Sequence, residues 1–558
     1  MSALFDRHRP MLVSAQTALS DRGFWTPFPE IPSGKIYGET AKADAEAAFA
    51  ALQGKPFDLP GHPETTRLGA EVSPWGPALG ITYPAASAEA LIAASAAAAG
   101  AWAASSVETR TGICLEILTR LNAQSFLLGH ATMHTTGQAF AMAFQAGGPH
   151  AQDRGLEAVA LAHAEMTRFA PRADWIKPQG KAAALEIEKH WTIVPRGISL
   201  AIGCNTFPTW NSYSGIFASL VTGNPVIVKP HPAAILPLAL TVKIAREVLV
   251  EAGLPADVIL LAVDQPGAEI TKDLASDAAV ALIDYTGSAQ FGDWLRAHAG
   301  QAHLFTEETG VNTVTLAGTR DFKGMCANLA FSLTLYSGQM CTAPQNIYIP
   351  AQGIETDEGH KSFDEVAAGL KEAIGALLTD PAQGAAVAGT IANPATLARA
   401  AAARDLGTVL RESTALPFGR SATPLLLVVD AASSTAHEDE VFGPVAFLIR
   451  VADADEGIAR AADLARRKGA ITAAIYDTKE ERISRAIARF AQAGVNLSIN
   501  LTGNIFVNQS AAFSDFHVTG ANPAGSASLT DTAFVAPRFT RVMWRRPISD
   551  RGQSPGGC

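Results

Sequence analysis

From residue 198 onward, short apolar runs alternate with helix-length segments, and that alternation restricts the chain to very few folds. Residues 198–202, 225–228, 258–263 and 280–283 have the length and the Val, Ile and Leu content of strands buried on both faces. Residues 212–221, 235–252 and 289–299 lie between them with helical spacing. Parallel strands need such crossovers, so the series predicts a doubly wound parallel sheet. A second series follows, with strands at 313–316, 347–349, 425–429, 445–450 and 471–476 and helices at 322–336, 362–378, 456–467 and 479–493. Two α/β units therefore succeed one another, with a seam near residues 304–306.

The first third reads differently. Residues 1–80, rich in Pro and Gly, predict an extended arm with one helical stretch at 41–52. Helices are predicted at 85–104, where alanine dominates, and at 108–128 and 155–169. Residues 185–193 alternate apolar and charged side chains, as a strand open to solvent on one face does. The tail, residues 551–558, is expected to be disordered.

Composition excludes several classes of function. A chain of 558 residues needs two or three domains. Its net charge of −10 is spread out, and no basic stripe suits a nucleic acid. No apolar run approaches the roughly 20 residues of a membrane helix, and the charged N-terminus does not suit a signal peptide. Cys114, Cys204, Cys326, Cys341 and Cys558 form no CxxC pair, which fits a reducing cytoplasm. His130 and His134 share a helix face, but no third ligand follows and no metal site is predicted.

Cys341 follows a glycine helix stop in Tyr336-Ser337-Gly338-Gln339-Met340-Cys341-Thr342, and Glu307 stands upstream at a strand end. Together they can form a nucleophile and a base for covalent thiol chemistry on a carbonyl. Thr286-Gly287-Ser288 is a candidate phosphate-binding turn, where Ser288 caps a helix whose free N–H groups can hold an anion, although an ordinary capped helix has the same pattern. Lys229 ends a buried strand in Val228-Lys229-Pro230-His231-Pro232 and points to the crevice where α/β sheets bind ligands. Asn205 or Thr206, in Gly203-Cys204-Asn205-Thr206-Phe207-Pro208, can donate to a developing oxyanion.

Taken in order, Asn205-Thr206-Phe207-Pro208, Val228-Lys229-Pro230, Thr286-Gly287-Ser288, Glu307 with Gly310, Gly338-Gln339-Met340-Cys341-Thr342 and Glu440-Val441-Phe442-Gly443-Pro444 resemble the aldehyde dehydrogenase superfamily over residues 85–515. Within it the chain is most similar to the aldehyde dehydrogenases of phenylacetic acid degradation. That likeness rests on Cys204-Asn205-Thr206-Phe207-Pro208-Thr209-Trp210-Asn211, on Lys229-Pro230-His231-Pro232 and on the long N-terminal arm. No hydratase domain is expected after residue 515.

The resemblance implies an aldehyde-dehydrogenase-like α/β fold, with two doubly wound parallel-sheet domains and a small β oligomerisation arm. Residues 1–175 and 194–305 would bind the cofactor, 306–515 would carry catalysis, and 176–193 with 516–558 would form the arm and tail. A homodimer or larger homo-oligomer is implied, pairing through the strands near 185–193 and 539–544.

The resemblance also implies the chemistry. Cys341 adds to the aldehyde, Asn205 or Thr206 stabilises the oxyanion, hydride leaves to a nicotinamide, and Glu307 activates water against the thioester. A local gap would pass that last role to Glu308. Lys229, Gly267, Gly287, Ser288, Glu440 and Phe442 would line the cofactor site. The acid that often follows the strand lysine is replaced by Pro232, so NADP is expected over NAD, with His231 near its 2′-phosphate. Trp210, Phe144 and Phe513 are the expected substrate walls, and a CoA-linked semialdehyde is the expected substrate. Rival readings are a CoA-acylating dehydrogenase, a non-catalytic cofactor-binding scaffold and a thiol esterase, for which no histidine is evident in the sequence.

Overall fold

Strand Ile198–Ile202 lies at the centre of a five-stranded parallel sheet, between Val226–Lys229 and Val280–Gly287, with Ile259–Leu261 and His303–Glu308 at its edges. This computed structural model describes residues 2–308, 310–507, 512, 517–526 and 531–550. Side chains alternate between two cores: Leu200 and Ile227 enter one, Ala201, Val226 and Val228 the other. Fully burying an aliphatic side chain of this size stabilises by roughly 2 kcal/mol, so a run of them fixes the strand register. Strand His303–Glu308 runs past residue 305 and stays in this sheet, paired with Val280–Gly287.

The second sheet has seven strands in the order Thr408–Arg411, Leu425–Asp430, Val445–Val451, Asn346–Pro350, Thr313–Leu316, Thr472–Tyr476 and Asn496–Ile499. All neighbours are parallel except the first pair. The same two-faced burial recurs, with Phe447 and Ile449 in one core and Ala446 and Leu448 in the other. A third, antiparallel sheet joins Phe539–Pro547, Ala182–Pro195 and Arg172–Gln179. Trp175, Ile176, Val542 and Trp544 are exposed on it.

The N-terminus differs from expectation. Residues Ser2–Asp21 form a helix despite Pro10, because Leu12, Ala15 and Ala18 pack into the same core as Ile113 and Leu156. His8 Nε2 also meets Glu116 Oε2 at 2.7 Å. The helix expected over 108–128 breaks at Gln124 into Val107–Ala123 and Ser125–Thr136. Helices Pro381–Ala388 and Pro394–Ala403 and strands Thr408–Arg411 and Asn496–Ile499 were not evident in the sequence. No single helix among the described residues is long and apolar enough to cross a membrane. The tail 551–558 and Phe513 lie outside the described residues.

Candidate active site

Cys341 is presented by a left-handed turn. Helix Phe322–Thr334 ends, and Tyr336, Ser337 and Gly338 follow with φ of 50°, 52° and 65°. Two non-glycine residues in that region cost about 1–2 kcal/mol each, so the surroundings must hold the turn. They do so through buried hydrogen bonds. Tyr336 Oη donates to Thr136 O at 2.5 Å and Ser337 Oγ to Ala388 O at 3.0 Å. Gln339 Nε2 donates to Tyr336 O and Thr390 O, while its Oε1 accepts from Ala392 N. A Cβ on Gly338 would lie 2.4 Å from Gly443 O, so only glycine fits there. Beyond the turn, Asn312 Nδ2 donates to Cys341 O at 2.7 Å and to Ala343 O at 2.9 Å. Asn312 Oδ1 accepts from Ile471 N and Thr472 N, which ties the cysteine segment to the second sheet.

Glu307 comes from the edge strand of the first sheet, so the two sheets each contribute one half of the pair. Its carboxylate accepts from Asn211 Nδ2 at 3.0 and 3.1 Å and meets His517 Nε2 at 2.7 Å. One ligand-type atom each from Glu307, Cys341 and His517 lie within 4.8 Å of one another. Burial pushes the Cys341 thiol well above its ordinary range, and the Glu307 charge and hydrogen bond push the same way. Burial also raises Glu307, but His517, Arg154 and the Cys341 thiol outweigh it and hold the carboxyl below its usual value. The resting pair is therefore a thiol donating to a carboxylate.

Neighbouring Glu308 is engaged elsewhere. Its carboxylate is buried and accepts from Arg296 Nη1 at 2.6 Å and Nη2 at 3.1 Å. A Cβ on Gly292 would come within 2.4 Å of that carboxyl carbon, so the glycine is required for the pairing.

Two cavities share Cys341 and Phe207 as a common wall. One, of about 310 Å³, is mostly apolar and is bounded by Met142, Phe207, Trp210, Phe331 and Phe506, with the edge of His517. His150 at its border meets Glu30 Oε2 at 2.7 Å. The other, of about 330 Å³ and polar in the residue types along it, is bounded by Asn205, Thr206, Gly287, Ser288, Glu440 and Phe442, and Glu307 also lines it. Asn205 Oδ1 is buried there without a partner among the described residues. Thr206 is more committed: its carbonyl accepts from Gln138 Nε2 at 2.8 Å and its hydroxyl sits 3.9 Å from Cys204 Sγ.

Lys229, His231, Pro232 and Gly267 do not line this polar cavity. They stand on neighbouring strand ends of the same sheet edge, with Lys229 in register with Ile202. The expectation that no carboxylate stands near Lys229 is corrected. Asp264, just past strand Ile259–Leu261, places Oδ1 2.9 Å from Lys229 Nζ, an ion pair short of an aligned hydrogen bond. Burial, and then the Lys229 charge, pull His231 down to about 4, so its imidazole is neutral at pH 7. Its Nδ1 accepts from Ala233 N at 3.1 Å.

Two further expectations change, those for Phe144 and for a histidine near Cys341. Phe144 is fully buried in a cluster with Tyr37 and Phe126 and is no wall of the apolar cavity, whereas Trp210 is one. His130 and His134 both stack on Phe49. A histidine does stand at Cys341, namely His517. Sequence reasoning also missed Asn211, Arg154 and Cys204, which lines the polar cavity beside Cys341. Asn211 had a signal, since it follows the Phe207-Pro208 helix start by one turn. His517 had none, lying in an aperiodic stretch 210 residues from Glu307.

A family model described as the aldehyde dehydrogenase family matches residues 75–527. The chain is 51% identical to a protein described as an NAD-dependent aldehyde dehydrogenase from Burkholderia multivorans. Their structures agree with a TM-score of 0.96, covering 98% of this chain and 99% of the other. The N-succinylglutamate 5-semialdehyde dehydrogenase of Burkholderia multivorans (strain ATCC 17616 / 249) is 29% identical over 301 residues, which is 52% of this chain and 58% of that relative's length. A 1-pyrroline-5-carboxylate dehydrogenase from Thermus with bound NAD shares the fold, at 18% identity and a TM-score of 0.73 over 94% of this chain and 99% of the other.

Proposed function

We propose, starting from the fact that this chain belongs to the aldehyde dehydrogenase family, that it oxidises an aldehyde to its carboxylic acid with a nicotinamide dinucleotide. The observation that carries this reading is the position of Cys341 as the shared wall of an apolar and a polar cavity, with the Glu307 carboxylate beside it. The polar cavity suits a dinucleotide by its own chemistry. A Cβ on Gly287 would come 2.4 Å from Tyr285 Oη, Ser288 caps helix Ala289–His298, and the Asn205 amide has hydrogen-bonding capacity to spare. Ser288 and that first helical turn would hold phosphate, Glu440 the nicotinamide ribose and Phe442 the ring. Lys229 would hold the adenosine ribose, with His231, Pro232 and Gly267 bordering that end. When bound, the dinucleotide supplies the hydride acceptor.

Cys341 starts as a thiol, and its proton has an adjacent acceptor in Glu307. The S–H bond breaks as sulfur bonds to the aldehyde carbon. Asn205 Nδ2 and the Cys341 N–H serve the resulting oxyanion, and one such donor is worth roughly 3–4 kcal/mol of barrier. Thr206, tied to Gln138 and Cys204, stands beside this role. Once hydride has left, a thioester remains on Cys341 and Glu307 has returned the first proton to solvent. Glu307 then takes a proton from water as the water oxygen attacks the thioester, and passes it to the Cys341 sulfur as the C–S bond breaks, which frees the acid and restores the thiol. Such a base contributes roughly 10²–10⁴ in rate. Glu308 stays with Arg296. A base held this way supports hydrolysis rather than transfer to CoA.

For the cofactor we favour NAD. Asp264 beside Lys229 disfavours a 2′-phosphate, neutral His231 cannot attract one, and the half-identical Burkholderia protein is described as NAD-dependent. For the substrate we favour an uncharged, apolar aldehyde, aromatic or medium-chain. Among the described residues the apolar wall carries no Lys or Arg for the carboxylates of N-succinylglutamate semialdehyde. The same wall gives the CoA phosphates of a phenylacetate-pathway semialdehyde no partner. Copies would pair through the exposed arm sheet. The test is NADH formation with a panel of aromatic, aliphatic, dicarboxylic and CoA-linked aldehydes, with the acid identified as product. Turnover absent from the whole panel, or unchanged in Cys341→Ala, would sink the proposal.

A further inference from the structure

We propose that His517 is a positioning residue for Glu307: its Nε2–H fixes one carboxylate oxygen, Asn211 Nδ2 spans both, and together they aim the base at Cys341 and the attacking water. This rests on the function proposed above and goes beyond the cysteine, glutamate and asparagine that the sequence motifs supply.

The hydrogen bond has a defined direction. An ionised carboxylate only accepts, so His517 Nε2, 2.7 Å from Glu307 Oε1, carries the proton. A bond to an ionised partner is about twice as strong as a neutral one, which suits it to orienting a base. The segment that bears His517 is also stitched to the strand that bears Glu307. Gly525 bridges Glu307, Glu308 N donates to Ala524 O at 2.6 Å, and Ser526 N donates to Thr306 O at 2.9 Å. Asn496 Nδ2 holds His517 O at 2.5 Å. The imidazole, 2% exposed, meets the Trp210 ring edge-on at 4.5 Å, and the Arg154 guanidinium lies 4.4 Å from that same indole.

His517 thus stands between the apolar cavity, which its ring borders, and the carboxylate, which its nitrogen holds. The titratable groups facing Glu307 are Cys341, Cys204, Arg154 and His517; burial raises the carboxyl, and His517, Arg154 and the hydrogen bond from the Cys341 thiol outweigh it. Metal ligation by the same trio is the weaker reading. It would displace the Nε2 proton, and Nδ1 has no orienting partner among the described residues, whereas metal-bound histidines almost always have one.

The test uses His517→Phe, which keeps an aromatic ring against Trp210 without a donor, and His517→Gln, whose amide can donate from the same place. Each full-length protein is mixed with NAD and an aldehyde that the wild type oxidises, and the NADH burst and the steady-state rate are followed across pH. For His517→Phe the expected result is a retained burst and a steady state slower by about tenfold to a hundredfold, as for other residues that orient a catalytic group. The acid limb of kcat should also move to higher pH, because Glu307 loses a stabilising partner. His517→Gln should recover most of the steady-state rate, which keeps the test decisive if the phenylalanine variant does not fold. Wild-type rate and acid limb in His517→Phe, or equal loss in both variants, overturns the inference. A wild type without NADH formation on any aldehyde overturns the proposed function instead.

Discussion

Gly338→Ala tests whether the left-handed turn sets the reactivity of Cys341. The new Cβ would sit 2.4 Å from Gly443 O and 2.9 Å from Gly443 C, against about 3.4 Å for ordinary contact, so one side must move by about 1 Å. Gly443 is poorly able to yield. Its carbonyl accepts from Val445 N at 2.8 Å, and its own Cβ position is filled by Thr396 Cγ2 at 2.6 Å. The turn moves instead and carries Cys341, three residues on, with it. The residue also remains at φ 65°, which costs an alanine about 1 kcal/mol. Overpacking adds roughly 1–3 kcal/mol. A nucleophile displaced by about 1 Å loses on the order of 100-fold in rate. Stopped-flow measurement of the NADH burst reads that loss directly, and thermal unfolding reads the stability cost. Ser337→Ala, which removes only the bond to Ala388 O, serves as the control, with a cost of about 1 kcal/mol and little change in burst rate. A burst within twofold of wild type in Gly338→Ala would show that the turn does not govern thiol placement.

Glu307→Gln should keep the burst amplitude, slow its rate because the Cys341 proton loses its acceptor, and lose roughly 10²–10⁴ of steady-state turnover; steady-state turnover near that of the wild type would remove Glu307 as the base. Glu307 is held below its ordinary value of 4.5 and acts when deprotonated, so kcat should fall as pH drops through that lowered value. Arg154→Met should move this acid limb upward, and a pH–rate profile that stays in place would remove Arg154 from the account. Asp264→Asn should raise kcat/KM for NADP relative to NAD by about tenfold, near 1.4 kcal/mol; an unchanged ratio would locate cofactor choice elsewhere. Arg538, fully buried, grips Asp284 at 2.7 and 2.6 Å, so Arg538→Met should destabilise by about 3–5 kcal/mol in urea unfolding. Adding Asp284→Asn should restore part of that loss, and strict additivity of the two would argue against the pairing.

Much of this was legible in the sequence because burial on both faces leaves uninterrupted Val, Ile and Leu runs. The strands Ile198–Ile202 and Val226–Lys229 were visible for that reason, and Gly287-Ser288 with the helix it opens for its turn and capping chemistry. Cys341 and Glu307 were visible as motifs. His517, Arg154 and Asp264 were not, since each acts through a partner distant in sequence and no local period marks such a contact. The N-terminal helix was obscured by Pro10 and a charged start, and its stability comes from tertiary packing rather than propensity. Phe144 failed the other way: an aromatic side chain carries no label for which of two apolar clusters it will join.

The dry wall of Phe207, Trp210, Phe331 and Phe506 bears on the form in which a substrate arrives. In water many aldehydes equilibrate with their gem-diols, and a gem-diol carries two hydroxyl groups. Stripping these groups of water without offering partners costs on the order of 1–3 kcal/mol each. On the proposed function, the aromatic wall therefore favours the free carbonyl over its gem-diol before Cys341 meets it. Concentrations for heavily hydrated aldehydes then belong to their carbonyl fraction alone, and a substrate can rank as poor through its hydration equilibrium while fitting the cavity well.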